Sequence, residues 1–364
     1  MDIVSTIAKV IGTFFEGAAV ISAHRLSIGH IHVTYHVMIS HEAQQHEVLL
    51  QQFASQVFKY PYRVAKNIAL VTEHLQAHQF PFTLSVPIYT PDAQPYVAIS
   101  TDDGHQTLWR AFTYLKDTRS YAVAPTYQHV EEALYAFGMF QKVLSSMDTT
   151  LIEAPIKGFM DNPKRLTALQ AAVDADSQHR KNTVGDLLQR IKHHQQLFQL
   201  LEDLKRDPMY RQKITHGDMK LNNILFQGAG HHVCAVIDLD TCMVGDYLFD
   251  YGDFMRVACA TAAEDEKEEQ RIGVSVDALR AAFTGLARAG ISLCTAEKEA
   301  LVYAGAALAL TVGARFLTDY LQGDSYFHIA YPEHNLVRAR NQILLAERFM
   351  EQENVIAKTI KEIL

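Results

Sequence analysis

Apolar residues recur with two different periods along the chain. In roughly the first hundred residues, short apolar or alternating runs bounded by turn residues predict strands. These runs are residues 31–39, 47–53, 83–89, 96–100 and 107–114. One helical pattern, near residues 62–79, interrupts them. The mixture predicts a twisted antiparallel sheet with a helix packed against it.

Beyond Tyr127, apolar residues spaced three and four apart predict helices. They span residues 130–144, 163–175, 184–204, 276–289, 299–321 and 334–364. A further amphipathic helix is expected at the N-terminus, where Ile7, Val10 and Phe14 fall on one helical face. The predicted fold class is α+β: a protein-kinase-like two-lobe fold, with an N-terminal antiparallel sheet lobe and a larger, mainly helical C-terminal lobe.

The boundary between the lobes is expected where polar residues replace the strand pattern. It gives an N-terminal lobe of residues 1–116, which would bind a nucleotide, and a C-terminal lobe of residues 117–364, which would carry the catalytic and substrate-binding residues. Length and composition agree with two cores, because 364 residues exceed what one compact core usually spans and 48% of them are apolar.

Charge and cysteine content argue against several classes of protein. Acidic residues outnumber basic ones, 41 to 33, and no basic stripe stands out, so a nucleic-acid partner is not expected. The four cysteines include no Cys-x-x-Cys pair and indicate reduced thiols of a cytoplasmic protein. Lys9 and Glu16 interrupt the apolar N-terminus, so an export signal is not expected.

A membrane partner is not expected either. Residues 300–314 are apolar, but the run is shorter than the roughly 20 residues that a membrane span requires, and we interpret it as a buried helix. The protein is expected to be a monomer or a dimer.

Residues 216–223 read His-Gly-Asp-Met-Lys-Leu-Asn-Asn and carry the clearest chemistry. Asp218, Lys220 and Asn223 lie there at offsets that suit phosphoryl transfer, and Asp238 ends the apolar strand that follows. Asp218 can accept the proton of an attacking hydroxyl, and Lys220 can neutralise charge on the transferred group. Asn223 and Asp238 offer oxygen ligands of the kind that magnesium prefers. Kinase chemistry is the first hypothesis.

Asn223 and Asp238 are expected to meet although they are distant in the sequence. Two short apolar runs, residues 224–226 and 233–237, flank a glycine- and histidine-rich turn and predict a hairpin. In an antiparallel hairpin the start of the first strand lies beside the end of the second, so both side chains share one edge. A surface turn that is merely polar is the competing interpretation, and the ordered set of four side chains favours function. Asp240 stays open between a second metal ligand and a solvated residue.

This segment resembles the aminoglycoside phosphotransferase and choline kinase superfamily, in which a His-Gly-Asp loop is followed by Asn five positions after the Asp. Other segments are similar to bacterial N-acetylhexosamine 1-kinases. They include residues 29–31, 109–110, 237–241, 250–253, 315–321, 326–327 and 334–336. The resemblance spans nearly the whole chain. The octet is shared by many kinases, whereas the segments between residues 315 and 336 point to the sugar-kinase branch.

The resemblance implies that Asp218 is the catalytic base, that Asn223 and Asp238 hold Mg²⁺, and that ATP is the phosphoryl donor. The acceptor would be the anomeric hydroxyl of N-acetylglucosamine or N-acetylgalactosamine, bound by Asp218 with Arg315 and Tyr326. The donors of arginine form a fork that suits hydroxyl or phosphate oxygens. A helix-end salt bridge for Arg315 and a packed aromatic for Tyr326 are the structural alternatives.

The nucleotide side is less clearly marked. Gly29 and His30 lie between two predicted strands and could form a turn over the phosphates, although a plain hairpin turn fits as well. Tyr114 opens the expected hinge, whose backbone groups would bind adenine. The strand at residues 48–53 lacks the lysine that clamps nucleotide phosphates in protein kinases, and at Gln52 the sugar-kinase branch is expected to have arginine.

Two classes of function stay open. The missing lysine is compatible with a kinase fold that binds a sugar or nucleotide without turnover, whereas retention of the four polar side chains favours an ATP-dependent small-molecule phosphotransferase. Within the enzyme class, rival acceptors are other sugars, choline-like alcohols and aminoglycosides. A polycationic acceptor needs an acidic pocket. The aspartates that could form one, or could equally be structural caps, are Asp246, Asp250, Asp253 and Asp319.

Overall fold

A computed structural model describes residues 3–26, 31–100 and 104–364. The strands are β1 (Ala19–Leu26), β2 (Val33–His41), β3 (Gln44–Gln52), β4 (Pro87–Ile88), β5 (Val97–Ser100), β6 (Gln106–Thr113), β7 (Thr118–Arg119), β8 (Lys213–Thr215), β9 (Ile224–Gln227), β10 (Val233–Val236) and β11 (Met243–Gly245). The helices are α1 (Ile3–Phe14), α2 (Pro61–Ala77), α3 (Tyr127–Leu144), α4 (Asn162–Ala175), α5 (Gly185–His193), α6 (Leu200–Leu204), α7 (Tyr247–Ala258), α8 (Val276–Ala289), α9 (Thr295–Gln322), α10 (His334–Glu351) and α11 (Glu353–Ile363).

The N-terminal lobe is an antiparallel sheet in the order β1-β2-β3-β6-β4, with β5 paired to the other part of β6. Side chains alternate between the two faces of each strand. On the outer face, Val37, Leu50 and Trp109 are buried against Ile11 and Phe14 of α1. The opposite face is turned toward α2 and the helical lobe, and its side chains join the main core.

The C-terminal lobe is organised around α9, which packs against α7 and α10, while α3 packs against α8. By length and composition α9 could cross a membrane, but 83% of its most apolar window is buried inside the protein. It is a core helix, longer than the buried helix expected at residues 300–314. A sheet lobe followed by a larger helical lobe confirms the predicted fold class.

Two predicted helices differ from the structure, and one helix of the structure was not predicted. Residues 184–204 form α5, a 3-10 turn at Gln195–Gln199 and α6 rather than one helix, and the C-terminal helix is interrupted at Gln352 between α10 and α11. Helix α7 was not predicted at all. Ten of its 12 residues are buried, so it has no continuous polar face from which a helical period could be recognised.

The strand predicted at residues 83–89 also differs. Only Pro87–Ile88 joins the large sheet, whereas Thr83 pairs with Ala235 of β10, and its N–H donates to the carbonyl of Cys234 at 2.8 Å. The segment therefore connects the two lobes. The domain boundary at residues 116 and 117 stays a prediction, since β6 ends at Thr113 and β7 already pairs with β9.

Candidate active site

The loop at residues 216–223 runs from β8 to β9, and hydrogen bonds to Asp250 of α7 hold its first residues. The two oxygens of Asp250 accept the backbone N–H groups of His216 and Gly217, each at 2.8 Å. Gln141 of α3 donates a third hydrogen bond at 3.0 Å. Gly217 has φ +81, and a Cβ there would lie 2.5 Å from the carbonyl oxygen of Thr241, so only glycine fits. Asp250 thus fixes the loop that carries Asp218.

Asp218 is held between two neighbours within this loop. Its carboxylate forms an ion pair with Lys220, and Asn223 Nδ2 donates to Asp218 Oδ2 at 3.1 Å and to its backbone oxygen at 2.8 Å. Burial acts to raise the pKa of Asp218, but the Lys220 ammonium more than offsets it, and the pKa lies below its usual value. Asp218 is therefore a carboxylate at neutral pH, oriented by Lys220 and Asn223.

The hairpin brings Asp238 to the same edge. Strands β9 and β10 pair antiparallel, with Val236 opposite Ile224, and the N–H of Ile237 donates to the carbonyl of Asn223 at 3.0 Å. His216 Nδ1 accepts the N–H of Asp218, which leaves Nε2 to donate to the carbonyl of Ile237 at 2.9 Å. The structure thus gathers Asp218, Asn223 and Asp238 as expected, and their roles stay predictions.

Asp238 differs from the neighbouring aspartates in that its carboxylate has no partner among the described residues. Its backbone is left-handed, at φ +64, a conformation that is strained for a residue other than glycine. Its side chain is exposed to solvent, and no described residue forms a hydrogen bond or an ion pair with its carboxylate. The surrounding protein and the negative charges of Asp240 and Asp218 raise the pKa of Asp238 to about 7.

This environment fits a divalent cation. Asp218 is paired with Lys220 and Asp240 with Arg110, whereas no described cation forms an ion pair with Asp238. Because the amide nitrogen of Asn223 donates to Asp218, its amide oxygen is left to act as a ligand. One carboxylate and one amide oxygen, with substrate phosphates and water, form a ligand set that magnesium accepts.

Asp240 is neither of the two things expected of it. It is 3% exposed and is bound by the guanidinium of Arg110 through two bonds of 2.8 Å, and by His32 Nε2 at 2.7 Å. It is therefore not solvated, and its oxygens are occupied by donors rather than free for a metal. Arg110 and His32 belong to the sheet lobe, and their contact with Asp240 was not foreseen.

On the nucleotide side, the ring of Tyr114 stacks on that of His36 with centroids 4.0 Å apart. His36 in turn is hydrogen-bonded to Glu47 at 2.8 Å. Tyr114 thus directly follows the end of β6, and its role in binding the nucleotide stays a prediction. Gly29 and His30, the other residues predicted to bind the nucleotide, lie outside the described residues.

Arg315 and Tyr326, which were predicted to bind the acceptor, lie beside each other, but no hydrogen bond or ion pair among the described residues joins either of them to Asp218. The guanidinium of Arg315 lies 5.9 Å from the ring centroid of Tyr326 and 5.3 Å from that of Phe327. No carboxylate of a described residue pairs with it, so the expected alternative of a helix-end salt bridge is wrong. Burial and the neighbouring Arg315 lower the pKa of Arg165, which places a second guanidinium nearby.

The loop that carries Tyr326 is fixed by Asp319 of α9. The carboxylate of Asp319 accepts the backbone N–H groups of Ser325, Tyr326 and Phe327 at 2.8–3.0 Å, together with Asn335 Nδ2 at 2.9 Å. Tyr326 itself is 62% exposed, so it is not the packed aromatic of the alternative interpretation. The loop held by Asp319 therefore places an exposed aromatic ring beside a guanidinium that pairs with no carboxylate of a described residue.

Comparison with known proteins identifies the family. Residues 22–286 match the phosphotransferase enzyme family, which is more than half of the 364 residues. The chain belongs to this family. It is thus a small-molecule phosphotransferase that acts on a hydroxyl group, and the expectation of an enzyme is confirmed.

Solved structures agree with this phosphotransferase in fold. An aminoglycoside phosphotransferase from Alicyclobacillus acidocaldarius has a TM-score of 0.61 at 13% identity, covering 97% of this chain and 96% of that one. An amicoumacin kinase in complex with AMP-PNP and Ca²⁺ has a TM-score of 0.61 at 13% identity, covering 96% and 94%. A microcompartment-associated aminopropanol kinase has a TM-score of 0.60 at 16% identity, covering 96% and 98%.

Proposed function

We propose that this phosphotransferase transfers the γ-phosphate of ATP to the anomeric hydroxyl of N-acetylglucosamine or N-acetylgalactosamine, giving the sugar 1-phosphate. Mg²⁺ held by Asn223 and Asp238 would neutralise the phosphates of the nucleotide. AMP-PNP and Ca²⁺ in the structure of the amicoumacin kinase support a nucleotide and a divalent cation. The four free cysteines suit a cytoplasmic enzyme.

The observation that carries the choice of acceptor is the engagement of the nearby aspartates. An acceptor with several positive charges requires free carboxylates, but each of the four candidates is occupied. Asp246 accepts the hydroxyl of Tyr210, and Asp250 and Asp319 accept the loop amides described above. Asp253 pairs with Arg256 at 2.7 Å. The guanidinium of Arg315 pairs with no carboxylate of a described residue, and its donors suit a neutral, hydroxyl-rich acceptor.

The proposed catalytic steps assign one role to each side chain of the loop. Asp218, oriented by Asn223, would accept the proton of the sugar hydroxyl while the hydroxyl oxygen attacks the γ-phosphorus. The bond from the γ-phosphorus to the bridging oxygen breaks, and ADP leaves. Lys220 lies beside Asp218 and stabilises negative charge on the phosphoryl group in transit. Because the transition state of phosphoryl transfer is loose, positioning matters more than the strength of the base. A carboxylate with a lowered pKa is thus adequate for this role.

The proposal is tested with a panel of acceptors, ATP and Mg²⁺, in which phosphorus NMR identifies the phosphorylated position. We expect turnover of N-acetylhexosamines with the phosphate on the anomeric oxygen. Choline, aminopropanol and an aminoglycoside serve as cationic competitors. Preferential phosphorylation of one of these amines, or of a sugar at another hydroxyl, would show that the acceptor is wrongly assigned.

Arg315→Met should raise the KM for the sugar about 10-fold or more, because a hydrogen bond to a charged group contributes about 1.5–3 kcal/mol. The KM for ATP should change little. The matched control is Arg288→Met. Arg288 is on helix α8, and its guanidinium lies 4.6 Å from the ring centroid of Tyr135 on α3. An unchanged sugar KM in the Arg315 variant would remove this residue from the acceptor site.

A further inference from the structure

A buried ion pair joins the sheet lobe to the segment that carries Asp238. The guanidinium of Arg110, on β6, binds both oxygens of Asp240, and His32 donates a third bond to the same carboxylate. His32 Nδ1 accepts the N–H of Ala54 at 3.0 Å, so its proton is on Nε2 and the ring acts as a neutral donor. Asp240 thus receives three donors from the other lobe.

Arg110 is held in place on all sides. Its Nε donates to Gln51 Oε1 at 2.9 Å, and Gln51 is its direct partner in the register of β3 and β6. Its guanidinium lies 5.1 Å from the ring centroids of Phe53 and Phe112. Both nitrogens of the planar fork are thereby directed at Asp240, and the pair is 4% and 3% exposed. Such rigid orientation is typical of groups that position a reactive site.

Strand β3 has no lysine on the face that is turned toward the helical lobe, but Arg110 of the neighbouring strand β6 supplies a cation there. Val48 and Leu50 of β3 are buried against α1, so by alternation Gln51 faces the helical lobe. Gln51 is neutral, and no residue of β3 is a lysine. A cation nevertheless reaches this face, because Arg110 extends from the neighbouring strand beside Gln51.

We propose that the Arg110–Asp240 ion pair compensates for the absent strand lysine by helping to fix the position of the nucleotide phosphates. By fixing Asp240 from the sheet lobe, Arg110 sets the position of Asp238, two residues earlier, and hence of the metal-bound nucleotide. Arg110 is a positioning residue, since it acts through Asp240. The inference rests on the proposed function only through the role of Asp238 as a metal ligand.

The first test is the double variant Arg110→Met with Asp240→Leu, which leaves no lone charge buried. Calorimetric titration with AMP-PNP is performed with Mg²⁺ and again with EDTA. We expect binding with Mg²⁺ to weaken about 10- to 100-fold, as is usual when a residue that orients a metal ligand is lost. Binding in EDTA should change little. Circular dichroism establishes that the variant is folded.

A matched control removes another bidentate pair. Arg190 and Glu347 are joined by bonds of 2.8 and 2.6 Å between α5 and α10, away from the catalytic loop. The double variant Arg190→Met with Glu347→Leu should bind AMP-PNP with Mg²⁺ as the wild type does. The comparison separates positioning of the metal site from a general loss of stability.

The second test is rescue. The double variant Arg110→Met with Gln51→Lys moves the cation to the paired position on β3 and keeps Asp240 intact, so it is informative even if the first variant fails to fold. We expect binding of AMP-PNP with Mg²⁺ to return to within a few-fold of the wild type. The calorimetric measurement is the same.

Two results would overturn the proposal. One is a folded Arg110→Met, Asp240→Leu variant that binds AMP-PNP with Mg²⁺ at wild-type strength. The other is a folded Arg110→Met, Gln51→Lys variant whose affinity for AMP-PNP with Mg²⁺ is no higher than that of Arg110→Met alone. Neither titration contains an acceptor, so an error in the choice of sugar leaves both outcomes unaffected. An Asp238→Ala variant that kept Mg²⁺-dependent binding would instead show that the metal ligand is wrongly assigned.

Discussion

Three aspartates close to one another in the catalytic centre have different charge states because their partners differ. Lys220 keeps the pKa of Asp218 below its usual value against the effect of burial, and Arg110 does the same for Asp240. The pKa of Asp238 is raised to about 7 by its surroundings and by the other two carboxylates. The first two are fixed charges at neutral pH. Asp238 is the carboxylate that gains most from a bound cation.

Asp218→Asn should lower kcat by about 10²–10⁴-fold, because the amide cannot accept the hydroxyl proton. It is nearly isosteric, so the fold and the affinity for AMP-PNP with Mg²⁺ should be kept. Steady-state kinetics on the true acceptor measures kcat, and calorimetry measures the affinity for AMP-PNP with Mg²⁺. Near-normal turnover would mean that another group is the base.

Asp246 provides a test of pH dependence away from the catalytic loop. Burial raises its pKa from 3.8 to about 6, and Tyr210 donates a hydrogen bond to it. Because the pKa of Asp246 is higher in the folded protein than in the unfolded chain, its protonated form stabilises the folded state at pH values below about 4. This stabilisation is lost as the pH rises through about 6. Asp246→Asn stays neutral throughout.

The variant should therefore become more stable relative to the wild type between pH 4 and pH 8. The expected gain is about 3 kcal/mol, since one pKa unit corresponds to about 1.4 kcal/mol. Urea unfolding across this range measures it. A stability difference that does not vary with pH would contradict the assignment.

At the scale of elements, helices in the C-terminal lobe approach closely where a glycine faces a neighbour. A Cβ at Gly285 of α8 would lie 2.1 Å from the carbonyl oxygen of Glu131 on α3. At Gly252 of α7 it would lie 2.5 Å from the carbonyl oxygen of Ala304 on α9. The second contact matters for function, because α7 carries Asp250 beneath the catalytic loop.

Gly285→Ala should reduce the free energy of unfolding by about 1–3 kcal/mol, since the added methyl forces the two helices apart. The matched control is Gly12→Ala in α1, where a Cβ meets nothing within 4 Å. There alanine should stabilise by up to about 1 kcal/mol through its higher helix propensity. Equal effects of the two variants in thermal unfolding would refute the close crossing of α3 and α8.

At the scale of the whole molecule, several contacts between described residues join the lobes near the catalytic hairpin, and three of them come from different elements of the sheet lobe. They are Thr83 with Cys234, Arg110 with Asp240, and Asn67 with Cys242. Asn67 of α2 is fully buried and donates to the carbonyls of Glu153 at 2.6 Å and Cys242 at 3.1 Å. These contacts attach the segment that holds Asp238 to the sheet lobe.

Asn67→Ala should lower stability by about 1–3 kcal/mol, because it leaves buried carbonyls without donors. Hydrogen exchange should rise at residues 239–243 more than in α8. Asn162→Ala is the control. Asn162 is also buried, but neither polar atom of its side chain has a partner among the described residues, so its loss should be nearly neutral. Similar exchange in both variants would argue against coupling through Asn67.

The sequence by itself predicted those features whose cause is local. The turn between two apolar runs specifies the hairpin, and the hairpin places Asn223 beside Asp238. The short spacing within the octet places Lys220 and Asn223 against Asp218. Amphipathic periods located α1, α2 and α8, because each of them has one buried face.

Tertiary structure alone decided the rest. Arg110 lies 130 positions from Asp240, and His32 lies 208 positions from it, so neither spacing nor period records their contact. Helix α7 escaped prediction because it is buried nearly all round. The polarity of Asp240 was visible in the sequence, but whether it faces water, a metal or an arginine depends on which surface packs against it. The sequence shows which side chains are neighbours along the chain, whereas the partner of a buried charge depends on which distant segments pack together in the fold.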